Sequence, residues 1–358
     1  MRVRISALDT LFFRDGKPFS MGEETWADGV FPPYPSVFYG ALRTWYIANH
    51  PGGFSDEIIG ESANIKITGL HYRLSTRLFD GLYLPLPLDL VEPKDKSEEE
   101  QSEEEREKKC RVVKLELLQS SALTNHPLPA LLQPSNQQEV ETIEDGFISS
   151  DKFNHYLQGT LQETIIRRLK DVAQAEPKVG IGRVDSTNTA QEGKLYRVGM
   201  HRATDFEMVL EVEMPTGQFQ YTTAFIKLGG EGKIAAIEEK GRMDALKIEK
   251  NTISLKPGRF KLYLATPALL KNGWQPNLKG LGIKAELVAA VLGKPVHIGG
   301  FDMVKKAPKP MLKAVPAGSV YYYETDEPAE RILQELQGIS ISDLLKEQGF
   351  GIAYVGNY

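Results

Sequence analysis

The sequence predicts an α+β fold made of two ferredoxin-like (RRM-like) domains in tandem, with loop and helical insertions. Three observations predict it. The 358 residues are enough for two domains and a substantial core. The opening stretch orders a strand, a charged turn, a stiff proline run and a helix, which is half of a β-α-β-β-α-β unit. A comparable order of elements returns after residue 205. The duplication rests on that order and not on sequence identity between the halves.

Taken in order, Val3, Ile5 and Ala7 alternate with Arg2, Arg4 and Ser6, which predicts a first strand. Arg14-Asp15-Gly16-Lys17-Pro18 is a tight charged turn, because glycine accepts positive φ and proline fixes its own. Phe31 to Pro35 is a stiff, extended approach, and Ser36 is the expected N-cap of a helix from Val37 to Ala48. Asn64 to Leu74 reads as a strand with Gly81 to Pro85 as its hairpin partner. Arg111 to Leu118 is a strand, residues 120 to 150 a loop, and Phe153 to Val172 a helix with Leu157, Leu161, Ile165, Ile166 and Leu169 at helical spacing.

Leu195 to Met214 reads as two paired strands around a Thr204-Asp205 turn, and the domain boundary is placed there: 1–204 and 205–358. In the second half, Thr222 to Leu228 is a short apolar connector or helical turn. Ile234 to Glu238 and Phe260 to Leu270 are strands, Ala329 to Gln337 a helix, and Phe350 to Val355 the last strand.

Charged residues make up 25% and hydrophobic residues 41% of the chain, an ordinary globular balance. The net charge is −5, so no global charge points to nucleic acid. Its distribution is uneven. Glu92 to Lys109 holds nine acids against five bases, leaving the rest of the chain near neutral. This acidic insert, about 92–110, lacks aromatics and is expected to be solvated. Any nucleic-acid surface must therefore be a local patch. The single cysteine, Cys110, excludes an intrachain disulfide and a multi-cysteine zinc site. The N-terminus has no signal-peptide core and no apolar run spans a membrane, so a cytoplasmic location is expected.

Gly229-Gly230-Glu231-Gly232-Lys233 is the sharpest local motif. Three glycines in four positions let the backbone approach another chain and point N–H groups outward, which suits a phosphate or ribose; the alternative is a tight βα turn. It is not a Walker A loop, because Lys227 stands at the first glycine position and Ile234 where a magnesium-binding hydroxyl is needed. Residues 298–313 form the strongest basic segment, with Lys305, Lys306, Lys309 and Lys313 against Asp302, and Phe301 interleaved. Such lysines can track a phosphate backbone while the ring stacks a base; the alternative is a solubilising hairpin.

Arg14 and Arg43 flank the proline run and offer planar forks to phosphate, or to a carboxylate such as Asp15 or Glu24. Lys178 with Gly180-Ile181-Gly182-Arg183 is a second glycine and basic turn that fails the dinucleotide fingerprint. Residues 348–355 resemble the RRM octamer but lack its basic start, and read as core. Six histidines are scattered with no metal-ligand spacing, and no GxSxG occurs. No cofactor or metal is expected.

LFFRDGKPF followed by FPPYPSVFYGALRT resembles the start of the third subunit of the Cmr complex, the type III-B CRISPR effector, within the RAMP superfamily. Gly180 to Arg183, Glu192 to Tyr196, Leu228 to Lys233, Lys309-Pro310 and Val315 to Tyr321 continue the resemblance in order; residues 85 to 150 carry none of it. The resemblance implies a non-catalytic subunit that holds the 5′ tag of the crRNA and docks on the large palm-domain subunit and on a backbone subunit. It implies that the glycine-rich loop, Gly229 to Lys233, faces RNA. The family usually carries tryptophan where this chain has Phe301. Two alternatives remain. One is a metal-independent crRNA-processing endoribonuclease using His71 or His201 as general base. The other is a protein-binding scaffold without RNA contact.

Overall fold

The computed structural model describes residues 1–14, 26–27, 29–75, 80–94, 111–119, 127–135, 138–184, 186–187, 189–215, 223–239, 253–302 and 306–358. The turn at Asp15 to Pro18, most of the acidic insert (95–110) and Lys305 lie outside them.

The chain opens with β1 (Arg2–Ala7), which buries Val3 and Ile5 as its alternation predicts. After β2 (Trp26–Ala27) comes α1 (Pro35–Asn49), capped by Tyr34 and not by Ser36. Pro35 occupies the first turn, where a missing N–H costs no hydrogen bond, so the proline sets the start. A second helix, α2 (Asp56–Glu61), was not expected; Ser55 Oγ accepts from the Ile58 N–H as its cap. β3 (Lys66–Ser75) and β4 (Asp80–Pro85) form the expected hairpin, with Tyr72 opposite Tyr83. β5 (Leu90–Pro93) already contains Glu92, so the acidic insert begins inside a strand.

β6 (Arg111–Gln119) is as expected, but the predicted loop 120–150 contains β7 (Ala130–Pro134), β8 (Val140–Thr142) and β9 (Gly146–Ser149). These strands are too short to show a period against the Pro, Asn and Ser around them. The helix predicted to reach Val172 is α3 (Ser150–Gln158). It stops at Gly159, left-handed at φ 78°, whose N–H caps the Tyr156 carbonyl at 3.1 Å. Of the apolar residues beyond it, Leu161 precedes β10 (Glu163–Ile165), Ile165 ends that strand, Ile166 links it to β11 (Arg167–Arg168), and Leu169 starts a 3-10 turn after β11.

β12 (Ala173–Arg183) and β13 (Ala190–Ala203) form a long antiparallel arm. Gly180 to Arg183 is thus strand and not turn: a Cβ on Gly180 would sit 2.3 Å from the ring of Tyr196 across the ladder. β13 is not paired with β14 (Phe206–Glu213), because β14 pairs with β1. The expected connector at 222–228 is instead β15 (Thr223–Lys227), the hairpin partner of β16 (Ile234–Glu239). The glycine-rich motif is therefore a hairpin turn.

The chain finishes with β17 (Arg259–Leu264), β18 (Glu286–Val291), β19 (Val296–Ile298), β20 (Phe301–Asp302), β21 (Ala307–Pro308), β22 (Leu312–Ala314) and β23 (Val320–Glu324). Then come α4 (Ala329–Leu336), β24 (Ile339–Ser340) and β25 (Ile352–Gly356). The fold is α+β, strand-rich with few helices.

Two interleaved units make up the chain. The first holds Met1–Ile67, Lys170–Gly241 and His297–Lys313; the second holds Thr68–Leu169, Arg242–Val296 and Ala314–Tyr358. The Thr204-Asp205 turn lies inside the first unit, so it does not divide them.

In the first unit, β14, β1, β16 and β15 form an antiparallel run with β15 on the outside. Val3, Ile5, Met208, Leu210 and Ile237 are buried, as are Phe38 and Leu42 of α1. Phe31 packs against Phe13, Phe206 and His201, with centroids 6.1, 5.2 and 5.1 Å away, so the proline-aromatic run belongs to this unit's interior.

In the second unit, β18, β23, β17, β25 and β24 form a five-stranded sheet, and α3 packs beside β25. Its interior is aromatic: Phe153, Tyr156, Tyr263, Tyr321 and Tyr322 are fully buried. Asp89, buried among them, accepts the Tyr156 hydroxyl at 2.8 Å and the Tyr322 hydroxyl at 2.5 Å.

Candidate nucleic-acid interface

The glycine-rich turn is built around the first chain segment. The Gly230 N–H donates to the Phe12 carbonyl at 2.9 Å, and Leu228 and Lys233 close the hairpin with an N–H to carbonyl bond of 2.9 Å. Gly229 has φ 81°, and a Cβ there would stand 2.3 Å from the Phe12 oxygen. Glycine is required because backbone meets backbone. Gly232, at φ 66°, faces open space.

Lys233 is only 14% exposed at its side chain; its Nζ reaches Asp9 Oδ2 at 3.1 Å and donates to Thr10 Oγ1 at 2.9 Å. The Thr10 backbone N–H and then the Lys233 ammonium hold the Asp9 carboxyl down to about 2. Lys178 Nζ also reaches Thr10 Oγ1, at 3.4 Å, and Arg202 bridges Asp9 and Glu176 at 3.2 and 2.6 Å. Lys233 and Lys178 thus hold the turn against the β12–β13 arm.

A cleft of about 750 Å³ opens within the same unit. One wall is α1, which contributes Gly40, Thr44 and Trp45; a second is β15, with Phe225 and Lys227; a third is the β20–β21 hairpin, with Phe301 and Lys309. Arg14 and Gly229 complete the lining near the turn, and His297 lies beside the hairpin. Phe225 and Phe301 are 65% and 54% exposed. Among the described residues, the lining includes the cations Arg14, Lys227 and Lys309 and no carboxylate. Exposed rings and cations around one concavity are groups that can stack bases and meet phosphates.

Of the residues singled out from sequence, the cleft brings together Arg14, Gly229, Phe301 and Lys309. It does not include Arg43, whose guanidinium donates to Ser62 Oγ at 3.0 Å and to the Ile59 carbonyl at 3.2 Å, tying α1 to the α2 segment. Arg183 is exposed at the end of β12, and Lys306, at φ 50°, and Lys313 are exposed on the basic segment, away from the lining.

Phe225, Lys227, Trp45 and His297 were missed. Phe225 and Lys227 alternate along a segment too short to read as a strand, and Trp45 sits in a helix whose other aromatics are buried. His71 is buried in β3 and His201 is stacked on Phe31, its pKa pushed down by burial; neither lines the cleft. Among the described residues no group of His, Cys, Asp and Glu is placed to hold a metal ion. The last strand is buried throughout, as a core reading of residues 348–355 requires.

A family model described as CRISPR-associated protein (Cas_Cmr3) matches residues 3–358. No curated protein matches significantly in sequence. Among solved structures, a chain of the type III-B Cmr-beta complex bound to cognate target RNA and AMPPnP (a cryo-EM structure) is similar at a TM-score of 0.49 and 16% identity, over 90% of this chain and 86% of that one. A chain of the same complex bound to cognate target RNA gives 0.48 and 16%, with the same coverage. The match along almost the whole length, from β1 to the last residue, shows that the chain belongs to the Cas_Cmr3 family of CRISPR-associated proteins.

Proposed function

We propose that the chain is a non-catalytic RNA-binding subunit of a type III-B CRISPR (Cmr) effector complex. In this reading it holds the 5′ tag of the crRNA and docks on the large palm-domain subunit and on a backbone subunit. One observation carries the RNA reading: Arg14, Lys227 and Lys309, from three separate segments, converge on one cleft with Phe225 and Phe301 and no acid among its described residues. Phosphates meet the cations and an unstacked base meets a ring. Gly229, Gly230 and Gly232 serve as the backbone frame of this face. Lys306 and Lys313 extend it along the basic segment, to which Lys305 belongs by sequence, and Lys178 and Arg183 extend it along the β12–β13 arm. The tandem ferredoxin-like organisation belongs to the same proposal.

The test is filter binding of tag-bearing single-stranded RNA to the assembled complex across a salt series. Replacing Arg14, Lys227 and Lys309 together by alanine should weaken binding about tenfold or more at 0.15 M salt and lower the log–log salt slope by about 2, as loss of three phosphate contacts to a single strand predicts. Unchanged affinity and slope would remove the cleft from the RNA path. Incubating the pure protein with repeat RNA in EDTA should leave the RNA intact. Discrete cleavage that disappears in His297→Ala would favour the endoribonuclease reading, because His297 is the histidine that lines the cleft.

A further inference from the structure

We infer that the segment joining α1 to β3, residues 51–64, is a rigid knob that docks on another protein, with Phe54 as its anchor. The seat it fits is an apolar pocket ringed by lysine or arginine. The inference rests on the reading of the chain as one subunit of a complex and assigns a surface to that docking.

Phe54 is 70% exposed, the most open large apolar side chain among the described residues, and Ile59 is 38% exposed. Phe54 precedes the cap residue Ser55, and Ile59 is the fourth residue of α2. These are the two positions of a hydrophobic staple, which places them on one side of the first turn. An aliphatic pair satisfies a staple; a ring left mostly in water does not follow from it. Asp56 and Glu57 sit in the first turn, where carboxylates complement the helix dipole. Glu61 closes the helix, at the end where a carboxylate opposes it. Helix stability therefore accounts for neither the exposed ring nor Glu61.

The knob is fastened from behind. Arg43 donates to Ser62 Oγ and to the Ile59 carbonyl, and Ser62 Oγ donates to the same carbonyl at 2.7 Å. The Tyr39 hydroxyl donates to the Ala63 carbonyl at 3.1 Å, and Ile58 is buried beneath α2. A ring on a loop already ordered loses little freedom on docking, so most of its contact appears as affinity. Charge selects the occupant. Residues 51–64 carry Asp56, Glu57 and Glu61 and no lysine or arginine. Three carboxylates repel a phosphate backbone and an anionic lipid surface. Two copies of the chain meeting knob to knob would set three acids against three. A different protein with cations around an apolar pocket satisfies both the ring and the carboxylates.

The experiment measures binding of the full chain to the large palm-domain subunit and to a backbone subunit. Each is purified and tested singly by interferometry, without RNA, across a salt series. One of the two should bind, and Phe54→Ser should weaken that binding about tenfold or more. Glu61→Lys should weaken it about threefold and flatten its salt dependence. Phe54→Ser should leave the thermal midpoint unchanged, and Glu61→Lys should leave it unchanged or raised, because the new charge complements the dipole. That separates a lost contact from a damaged fold; if Phe54→Ser lowers the midpoint, Glu61→Lys decides. If the parent binds a subunit and both variants bind it equally well, the knob is wrong and the complex reading stands. If the parent binds neither subunit, the complex reading fails and the inference with it. If Phe54→Ser spares subunit binding but lowers retention of tag-bearing RNA, the knob takes RNA. If it instead dissociates a dimer of the chain in sedimentation, the knob takes a second copy. Either result overturns the inference.

Discussion

Lys261 shows how much a single residue can oppose its surroundings. It is 0% exposed, its Nζ has no hydrogen-bond partner among the described residues, and it lies 3.2 Å from the centroid of the Tyr156 ring. Burial drives its pKa well down, against the pull of Asp89. The unfolded chain therefore binds a proton more readily than the folded one. This contribution to stability rises with pH toward about 10 and is lost as pH falls. Lys261→Met should keep the volume, remove that slope below pH 10 and stabilise by about 1–3 kcal/mol at pH 7, since Tyr156 and Tyr322 still satisfy Asp89. Urea midpoints measured from pH 6 to 10 check both the sign and the flattening; a variant with a lower midpoint at pH 7 would mean that the ammonium is charged and needed. Nothing in the sequence marks Lys261, because RFKLYL alternates as an ordinary half-exposed strand would. It is buried because α3 covers that face of the sheet and lays the Tyr156 ring over its Nζ.

At the scale of elements, the β15–β16 hairpin decides where the candidate site lies. Its turn is held by Phe12 and by Lys233 on Asp9 and Thr10. Gly229→Ala combines a positive φ with a backbone clash and should cost about 2–4 kcal/mol, whereas Gly232→Ala, with open space around it, should cost only the φ penalty of about 1 kcal/mol. Thermal denaturation of the two variants checks the order; equal losses would mean that the turn relaxes away from Phe12. The glycine run was legible in the sequence, but its role was not. Strand β15 has five residues, and five residues cannot distinguish a strand from a helical turn by period alone. Long, strongly patterned elements such as β1, β3, β6, α1 and α4 were legible for the opposite reason.

On the scale of the molecule, a net charge of −5 and a cationic cleft act at different ranges. Long-range attraction to nucleic acid is weak, so the proposed RNA binding rests on short-range contacts. Under the proposed function, rings lining the cleft take unstacked bases, which a duplex withholds. The assembled complex should therefore retain tag-bearing single-stranded RNA at 0.15 M salt and show no saturable retention of duplex DNA of the same length; equal retention would mean a non-specific electrostatic surface.

From the sequence alone came the α+β class, the family, the first hairpin and helix, and the residues Arg14, Gly229, Phe301 and Lys309, because each is written in local pattern or in residue types that tolerate few settings. Only the tertiary structure decided which of these share a cleft, that Phe225, Lys227, Trp45 and His297 join them, that Arg43 and Lys233 are held in internal contacts, and that the exposed Lys178 reaches Thr10. The interleaving of the two units was equally invisible, since it is set by which strands pair. The physical reason is that a short strand's partner and a side chain's neighbours lie hundreds of residues away, as Lys233 and Asp9 do, and no local period records them.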